Sequence, residues 1–103
     1  MKIKPKIVKI ELSKPIAFEW DEWNIRKNET KHKVSTEEAE QAFGDTAKRI
    51  FPDTLHSHKE KRFIFIGSAK NKRVLYVAFI LRNKRVRVIS ARDLNRKERY
   101  LYP

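Results

Sequence analysis

Two groups of residues in this chain have side chains suited to phosphate chemistry: one could transfer a proton, and the other could bind the phosphate. The first is the adjacent pair Lys31 and His32. An imidazole changes charge near neutral pH, which suits His32 to proton transfer. A hydrogen bond that caps a helix or lies in the core is its alternative role. Lys31 could bind a phosphate, or act as an acid or base if neighbouring cations made its ammonium group more acidic.

The second group is a set of arginines near the end of the chain. Ser90, followed three residues later by Asp93, forms a helix-capping pattern. On the predicted helix, Arg92, Arg96 and Arg99 stand at i, i+4 and i+7 and therefore share one side. A guanidinium held at a fixed position can bind phosphate through two parallel hydrogen bonds. The alternatives are a solvated helix face and ion pairs with nearby carboxylates.

Three apolar runs predict the sheet that must position these residues. Residues 62–69, 72–81 and 85–90 are rich in β-branched and aromatic side chains and are separated by short polar turns, which is typical of consecutive hairpins. The middle run is apolar at nearly every position, so we expect it to be the central strand with both faces covered. A short strand is also expected around Ile50.

Two helices are predicted before the sheet. Asp21 can cap a helix over residues 22–33, whose apolar side chains are only Trp23 and Ile25, so most of its surface should face water or a ligand. Ser35 and Glu38 form a capping box that opens a second helix. Residues 6–12 alternate as an edge strand would, and we interpret them as an edge strand or an ordered arm.

Composition restricts the class of protein. A chain of 103 residues predicts a single domain over 1–103. Two glycines leave no room for a glycine-rich phosphate loop, and zero cysteines exclude disulfides and thiolate chemistry. No run is apolar enough for a membrane span, and the lysine-rich start lacks a signal-peptide pattern, so we expect a cytoplasmic protein without membrane contact.

The positive charge is concentrated after residue 45. Residues 1–45 hold nine Lys/Arg and nine Asp/Glu, whereas 46–81 and 82–103 each hold eight bases and two acids, which accounts for the net charge of +12. Such asymmetry favours a polyanionic partner, although a solubilising surface is the alternative.

Three segments together resemble a known family. They read "FEWDEWN...NETKHKV" from residue 18, "HSHKEKRFIFIG" from residue 56 and "RVRVISARDLNRKERYLY" from residue 85. This order of residues over 18–102 resembles the BrnT toxins of type II toxin–antitoxin systems, which are small ribonucleases. The chain departs from the family at Lys33, where glycine is usual, in a small insertion at 46–51, and in an N-terminal extension over 1–16 that precedes the toxin-like part at 17–103.

The resemblance implies an α+β, RelE-like fold, in which N-terminal helices pack on a small antiparallel sheet of three or four strands, with a C-terminal helix. It also implies an endoribonuclease that needs no metal or other cofactor and attacks the phosphate with the ribose 2′-hydroxyl. It further implies five catalytic residues, which would transfer protons and stabilise charge: Lys31, His32, Arg87, Arg92 and Tyr102.

The roles of several residues stay open. Arg92 would neutralise the scissile phosphate with support from Arg87, and Glu98 would orient either arginine. Tyr102 could stack on a base, donate a proton, or simply pack on Leu94. The residues expected to bind the RNA backbone are Lys33, Arg73, Arg85, Arg96 and Arg99. The close pair His56 and His58 has no acidic cluster beside it, so we interpret it as a polar turn and expect no metal site.

The resemblance also implies partners. The toxin would cleave cellular RNA, inhibit translation and be neutralised by a BrnA-like antitoxin, and the complex of the two would bind operator DNA. The surface over residues 19–45 has eight acids and four bases and could contact such a partner. A non-catalytic basic module that binds nucleic acid, or a structural protein that binds an acidic chain, would explain the charge without catalysis.

Overall fold

The computed structural model describes residues 6–10, 12, 15–55 and 59–103. Its elements begin with strand β1 and two helices, followed by four strands and a short 3-10 helix. Their bounds are β1 Phe18–Glu19, α1 Glu22–Lys31, α2 Thr36–Phe43, β2 Arg49–Pro52, β3 Arg62–Ser68, β4 Val74–Arg82, β5 Arg85–Asp93 and the 3-10 helix Arg96–Leu101.

The strands form one mixed sheet in the order β1-β5-β4-β3-β2, in which β1 runs parallel to β5 and the other pairs are antiparallel. The predicted antiparallel sheet of three or four strands is therefore wrong in strand number and in the direction of one pair. The missed strand β1 has two residues, too few for an alternating pattern, and only its pairing with Val86 and Arg87 makes it a strand.

The two hairpins from β3 to β5 are confirmed. β4 pairs with β3 on one side and with β5 on the other, so it is the centre of the sheet as expected. Asn83 and Lys84 connect β4 and β5 with positive φ angles of 52° and 62°. Two left-handed residues in succession give the turn whose twist matches that of the paired strands.

The sheet has a hydrophobic core on each face. On one face, the Phe43 ring of α2 lies with its centroid 4.6 Å from Phe65 and 5.4 Å from Phe79. On the other face, Ile64, Ile66 and Ala78 are covered by side chains of the C-terminal segment. This segment contributes Leu94, Leu101 and Tyr102.

The C-terminal segment differs from the predicted helix. β5 continues to Asp93, and the helix that follows is a 3-10 helix capped by Asn95 instead of Ser90. The pairing of residues 90–93 with β4 outcompetes the local capping pattern, because it continues a ladder that the preceding residues have already begun. Arg92 therefore lies on a strand and does not share a helix face with Arg96 and Arg99.

Helix α1 lies along the free edge of β5 and binds its backbone through side chains. The Asn24 amide donates to the carbonyl of Val88 at 3.0 Å, and the backbone N–H of Ala91 donates to Oδ1 of Asn28 at 3.1 Å. Asn24 and Asn28 are buried, whereas the predicted apolar residue Trp23 is 75% exposed. The side-chain amides of Asn24 and Asn28 thus bind β5 backbone groups that a neighbouring strand would otherwise bind. These bonds fix the position of α1 against β5.

The described residues of the N-terminal arm, 6–10 and 12, contact the core but are not part of a strand. In residues 6–10 and 12, the backbone N–H of Val8 donates to the carbonyl of Ile50 at 2.8 Å, while Val8, Ile10 and Leu12 pack on the core. Within the described ranges, no helix has the length and apolar character that crossing a membrane requires.

Candidate active site

A cleft of about 440 Å³ lies where the end of α1 meets the end of β5. We call it the cationic cleft, and its lining residues are Lys31, His32, Lys33, Arg92, Asp93 and Asn95. The fold thus brings the Lys31–His32 pair from the first third of the chain to Arg92 near its end. In the part of the chain that the structure describes, three Lys and Arg side chains line the cleft with one carboxylate, so it is suited to an anionic ligand.

Arg92 is held in a fixed orientation within the cleft. It lies opposite Tyr76 in the β4–β5 ladder, and the guanidinium carbon is 4.0 Å from the centroid of the Tyr76 ring. Glu98 accepts two hydrogen bonds from the terminal nitrogens of Arg92, each 2.8 Å long. These bonds raise the pKa of Arg92, which therefore stays charged. A cation with its rotamer fixed in this way loses little entropy on binding a phosphate.

Arg92 keeps free donors despite these contacts. A guanidinium has five N–H donors. Among the described residues, Glu98 and the Asp93 carbonyl take three of them, two from Nη1 and one from Nη2. The Nε hydrogen and the second Nη2 hydrogen remain, and they are adjacent. Arg92 can therefore bind two oxygens of a phosphate through these donors while Glu98 remains bound to Nη1 and Nη2 on the other edge of the guanidinium.

The turn that carries His32 and Lys33 is formed by an unusual backbone conformation. The backbone N–H groups of His32 and Val34 both donate to the carbonyl of Asn28, and Lys33 has a φ of 54°. This is the left-handed conformation that favours glycine. Lys33 therefore occupies a backbone conformation that the Cβ of a lysine disfavours.

Replacing Lys33 with glycine should raise the free energy of unfolding by about 0.5–1 kcal/mol, because glycine adopts a left-handed conformation without the steric cost that a Cβ imposes. Denaturant unfolding followed by circular dichroism would measure the change. Lys33→Ala removes the same charge but keeps the Cβ. An equal gain in the alanine variant would show that charge repulsion, and not backbone strain, is relieved.

Arg73 fixes this turn to the rest of the cleft. Its guanidinium donates to the carbonyls of His32 at 2.9 Å and Lys33 at 2.7 Å. It also binds the carboxylates of Asp93 and Glu38, at 2.5 Å and 3.2 Å. Arg73 was expected to bind RNA, but its donors are used to join the end of α1, the start of α2 and the end of β5.

The carboxylate of Glu38 stays ionised in this arrangement. Hydrogen bonds, mainly the one from the backbone amide of Ser35, lower the pKa of Glu38 to about 2. The predicted capping box is present, since Glu38 and Ser35 bind each other's backbone amides at 3.1 Å. A negative charge at the start of α2 also interacts favourably with the helix dipole.

Two predicted catalytic residues do not line the cleft. Arg87 binds Glu19 at 3.3 Å and also the carboxylate of Asp21, before α1 begins. The hydroxyl of Tyr102 donates to Oδ2 of Asp45 at 2.5 Å. This bond raises the pKa of Tyr102 and makes it a poorer proton donor. In this conformation, both side chains serve contacts that hold the fold.

The remaining predicted residues lie at different distances from the cleft. Arg85 begins β5, seven residues before Arg92 and so about 23 Å away along a strand. Arg96 and Arg99 are exposed on the 3-10 helix, on the side of the sheet that Arg92 faces. The pair His56 and His58 lies outside the described residues. Glu98, expected to orient an arginine, binds Arg92.

Sequence reasoning missed Tyr76, Asn24 and Asn28. Tyr76 supports Arg92 only because of the strand register, and the two asparagines matter because they bind the backbone of β5. The available signal was their polarity within a helix that has few apolar residues, since a helix packed on a core usually has an apolar stripe.

A larger depression, of about 700 Å³, lies beside α2 and is lined by residues that include Phe18, Gly44, Asp45 and Lys70. Asp45 already binds the backbone of Ser68 and the hydroxyl of Tyr102. Among the described residues of this lining, Lys70 is the single basic one. The depression is therefore less suited to phosphate chemistry than the cationic cleft is.

Comparison with known proteins identifies one family. The family model described as "Ribonuclease toxin, BrnT, of type II toxin-antitoxin system" matches residues 20–98, which is more than three quarters of the chain. The match includes Lys31, His32, Arg73, Arg92 and Glu98. No functionally curated protein matched the chain.

Proposed function

Because the chain belongs to the BrnT family of ribonuclease toxins of type II toxin–antitoxin systems, we propose that it is an endoribonuclease whose active site is the cationic cleft. The observation that carries the proposal is the convergence of Lys31, His32 and Arg92 on one concave surface. These residues supply a proton carrier and fixed positive charge, which cleavage of a phosphodiester requires.

In the proposed reaction, the ribose 2′-oxygen forms a bond to its neighbouring phosphorus, and the bond from phosphorus to the 5′-oxygen breaks. The 2′-hydroxyl proton passes to a base, and the departing 5′-oxygen receives a proton. His32 is suited to one of these transfers because an imidazole exchanges protons near neutral pH. Lys31 would assist the second transfer or bind a phosphate oxygen.

Arg92 would stabilise the charge that builds up on the phosphate oxygens. Its two free donors point away from Glu98, and the contacts to Glu98 and Tyr76 hold the guanidinium before the substrate arrives. Preorganised charge needs no reorganisation at the moment of reaction, and this is a large part of its effect on rate. The fixed cations of the chain supply the stabilisation in this scheme, so the reaction requires no metal.

The experiment is incubation of the purified protein with RNA in the presence of EDTA. The expected products carry a 2′,3′-cyclic phosphate at one new end and a 5′-hydroxyl at the other. His32→Ala should lower kcat by about 10²-fold, the lower end of what a general acid or base contributes. Unchanged cleavage by the variant would place the site elsewhere. Binding of RNA without cleavage by the wild type would favour a non-catalytic binding module.

We further propose that a BrnA-like antitoxin neutralises the protein in the cytoplasm, and that operator DNA is bound through their complex. The acidic surface over residues 19–45 offers fewer free carboxylates than its composition suggests. Glu19, Asp21, Glu38 and Asp45 are bound within the chain. The exposed carboxylates are Glu22, Glu29, Glu37 and Glu40. Growth arrest on expression, relieved by co-expression of a small neighbouring reading frame, would test this pairing.

A further inference from the structure

Trp23 is an exposed aromatic side chain on the surface that leads to the cationic cleft. It is 75% exposed, whereas Phe43, Phe65 and Phe79 are fully buried in the core. An indole left in water forfeits about 2 kcal/mol that burial would supply. It contributes nothing to the core described above. Contact of this ring with a ligand would recover part of that free energy.

Trp23 shares one side of α1 with basic residues. Arg26 and Lys27 follow it at i+3 and i+4, and Thr30 and Lys31 follow at i+7 and i+8. Residues with this spacing lie one above the other along a helix. Asn24 and Asn28 lie about 100° and 140° around the helix from Trp23, toward β5, so the stripe turns toward the sheet as it approaches Lys31. The stripe from Trp23 to Lys31 is therefore continuous and ends at the cationic cleft.

The length of this stripe fits a few nucleotides. Lys31 follows Trp23 by eight positions along the helix, which is about 12 Å at 1.5 Å per residue. Stacked nucleotides advance by about 3.4 Å each, so an RNA strand whose phosphate lies in the cleft places a base at Trp23 about two to four nucleotides away.

The charge near Trp23 is compatible with a nucleic acid backbone. Arg26 binds Glu22 at 2.9 Å, but their side chains are 72% and 85% exposed. Such a pair is worth little in water, so Arg26 can exchange the carboxylate for a phosphate at small cost. Lys27 and Lys31 add positive charge along the same side.

The surroundings of Trp23 favour a base over a protein surface. The shallow depression at this position is lined by Glu22, Trp23 and Arg26. One aromatic ring among charged side chains lacks the contiguous apolar area that marks protein interfaces. A single ring beside basic groups is what proteins use to stack a base of a single strand.

We propose that Trp23 is a stacking platform for a base of single-stranded RNA that flanks the scissile phosphate. The assignment rests on the proposed function, because it takes the cationic cleft as the place where the phosphate binds. It adds a second contact point on the RNA, and it predicts that affinity depends on nucleotides the catalytic residues do not touch.

The test uses a 2′-O-methyl oligoribonucleotide about ten nucleotides long, which binds without being cleaved because it has no free 2′-hydroxyl. Trp23→Ala should weaken its binding about tenfold, which is one stacked base at about 1.4 kcal/mol. Trp23→Phe should retain most of the affinity. A 2′-O-methyl dinucleotide, too short to reach from the cleft to Trp23, should bind the wild type and both variants equally.

Tryptophan fluorescence provides an independent measurement. The oligonucleotide should quench the wild type strongly and Trp23→Phe weakly, since the remaining Trp20 is partly buried and donates to Glu40 at 2.8 Å. Equal affinity and equal quenching in the wild type and Trp23→Ala would overturn the proposal. So would a Trp23→Ala variant that keeps its RNA affinity but loses its protein partner.

Failure of this inference and failure of the proposed function are distinguishable. A wild type that cleaves RNA, with a Trp23→Ala variant that binds and cleaves equally well, would remove the stacking platform and keep the enzyme. A wild type that does not cleave RNA, with binding that still depends on Trp23, would remove the enzyme and keep the platform.

Discussion

Replacing Arg92 with alanine should lower the rate of RNA cleavage by about 10²–10³-fold while the protein stays folded. The variant loses the preorganised charge next to the phosphate, and removal of one such group typically has an effect of this size. It also leaves the carboxylate of Glu98, next to the cleft, without its cation, which adds repulsion toward the substrate. Single-turnover cleavage of a labelled RNA would measure the change in the chemical step.

Arg82 offers a matched control for this substitution. It binds Glu60 through two nitrogens, at 3.1 Å and 2.9 Å, as Arg92 binds Glu98. It lies at the opposite end of β4 from Tyr76, away from the cleft. Arg82→Ala removes the same charge and the same type of ion pair, and it should leave kcat unchanged. Equal losses in both variants would mean that net charge, and not the position of Arg92, determines the rate.

Replacing Gly67 with alanine should lower the free energy of unfolding by about 3 kcal/mol, at the upper end of the range for overpacked positions. A Cβ at Gly67 would lie 2.4 Å from the carbonyl oxygen of Ala42 and 3.3 Å from the Cβ of Lys48. The oxygen belongs to the backbone of α2 and cannot move aside as a flexible side chain can. The helix would have to shift off β3, so the core around Phe43 would loosen.

Thermal unfolding would test this expectation, with a predicted fall in Tm on the order of 15 °C for a domain of this size. Gly44, the other glycine of the chain, provides the control. It has a φ of −80°, and a Cβ there would lie 3.3 Å from the Gln41 carbonyl oxygen. Gly44→Ala should therefore change Tm by only a few degrees. A Gly67→Ala variant as stable as Gly44→Ala would contradict the close contact between α2 and β3.

The elements that could be predicted from the sequence are those whose determinants are close in the chain. Ser35 and Glu38 are three residues apart and form the capping box at α2. The turn at Asn83 and Lys84 joins two strands that are adjacent in the sequence as well as in the sheet. In both cases the residues that make the contact are visible in one short window.

The features that were missed depend on contacts between distant parts of the chain. β1 exists because residues 18–19 meet residues 86–87. The Ser90–Asp93 pattern did not start a helix because pairing with β4 and a bond from the Ala91 amide to Asn28 hold this segment extended. A local capping preference is worth about 1 kcal/mol, less than several ladder hydrogen bonds together with the burial of Ala91.

Only part of the candidate site could be predicted, because sequence shows the chemistry of a side chain but not its partners in the fold. Side-chain chemistry pointed to Lys31, His32 and Arg92, and these residues line one cleft. Chemistry could not separate Arg92 from Arg87 or Arg73, because an arginine that binds a ligand and one that binds a carboxylate of its own chain have the same side chain. All three arginines bind carboxylates, and only their positions make that distinction, since Arg92 lines the cleft and the other two do not.

The amides of Asn24 and Asn28 also determine which margin of the sheet can recruit another polypeptide. β5 is occupied by β1 at residues 86–87 and by these two side chains at residues 88 and 91, so an incoming strand finds no unbroken ladder there. At the opposite margin, β2 is met by the arm through the bond from Val8 to Ile50. A foreign strand that extended the sheet would therefore pair with β2, and it would have to displace the bond from Val8.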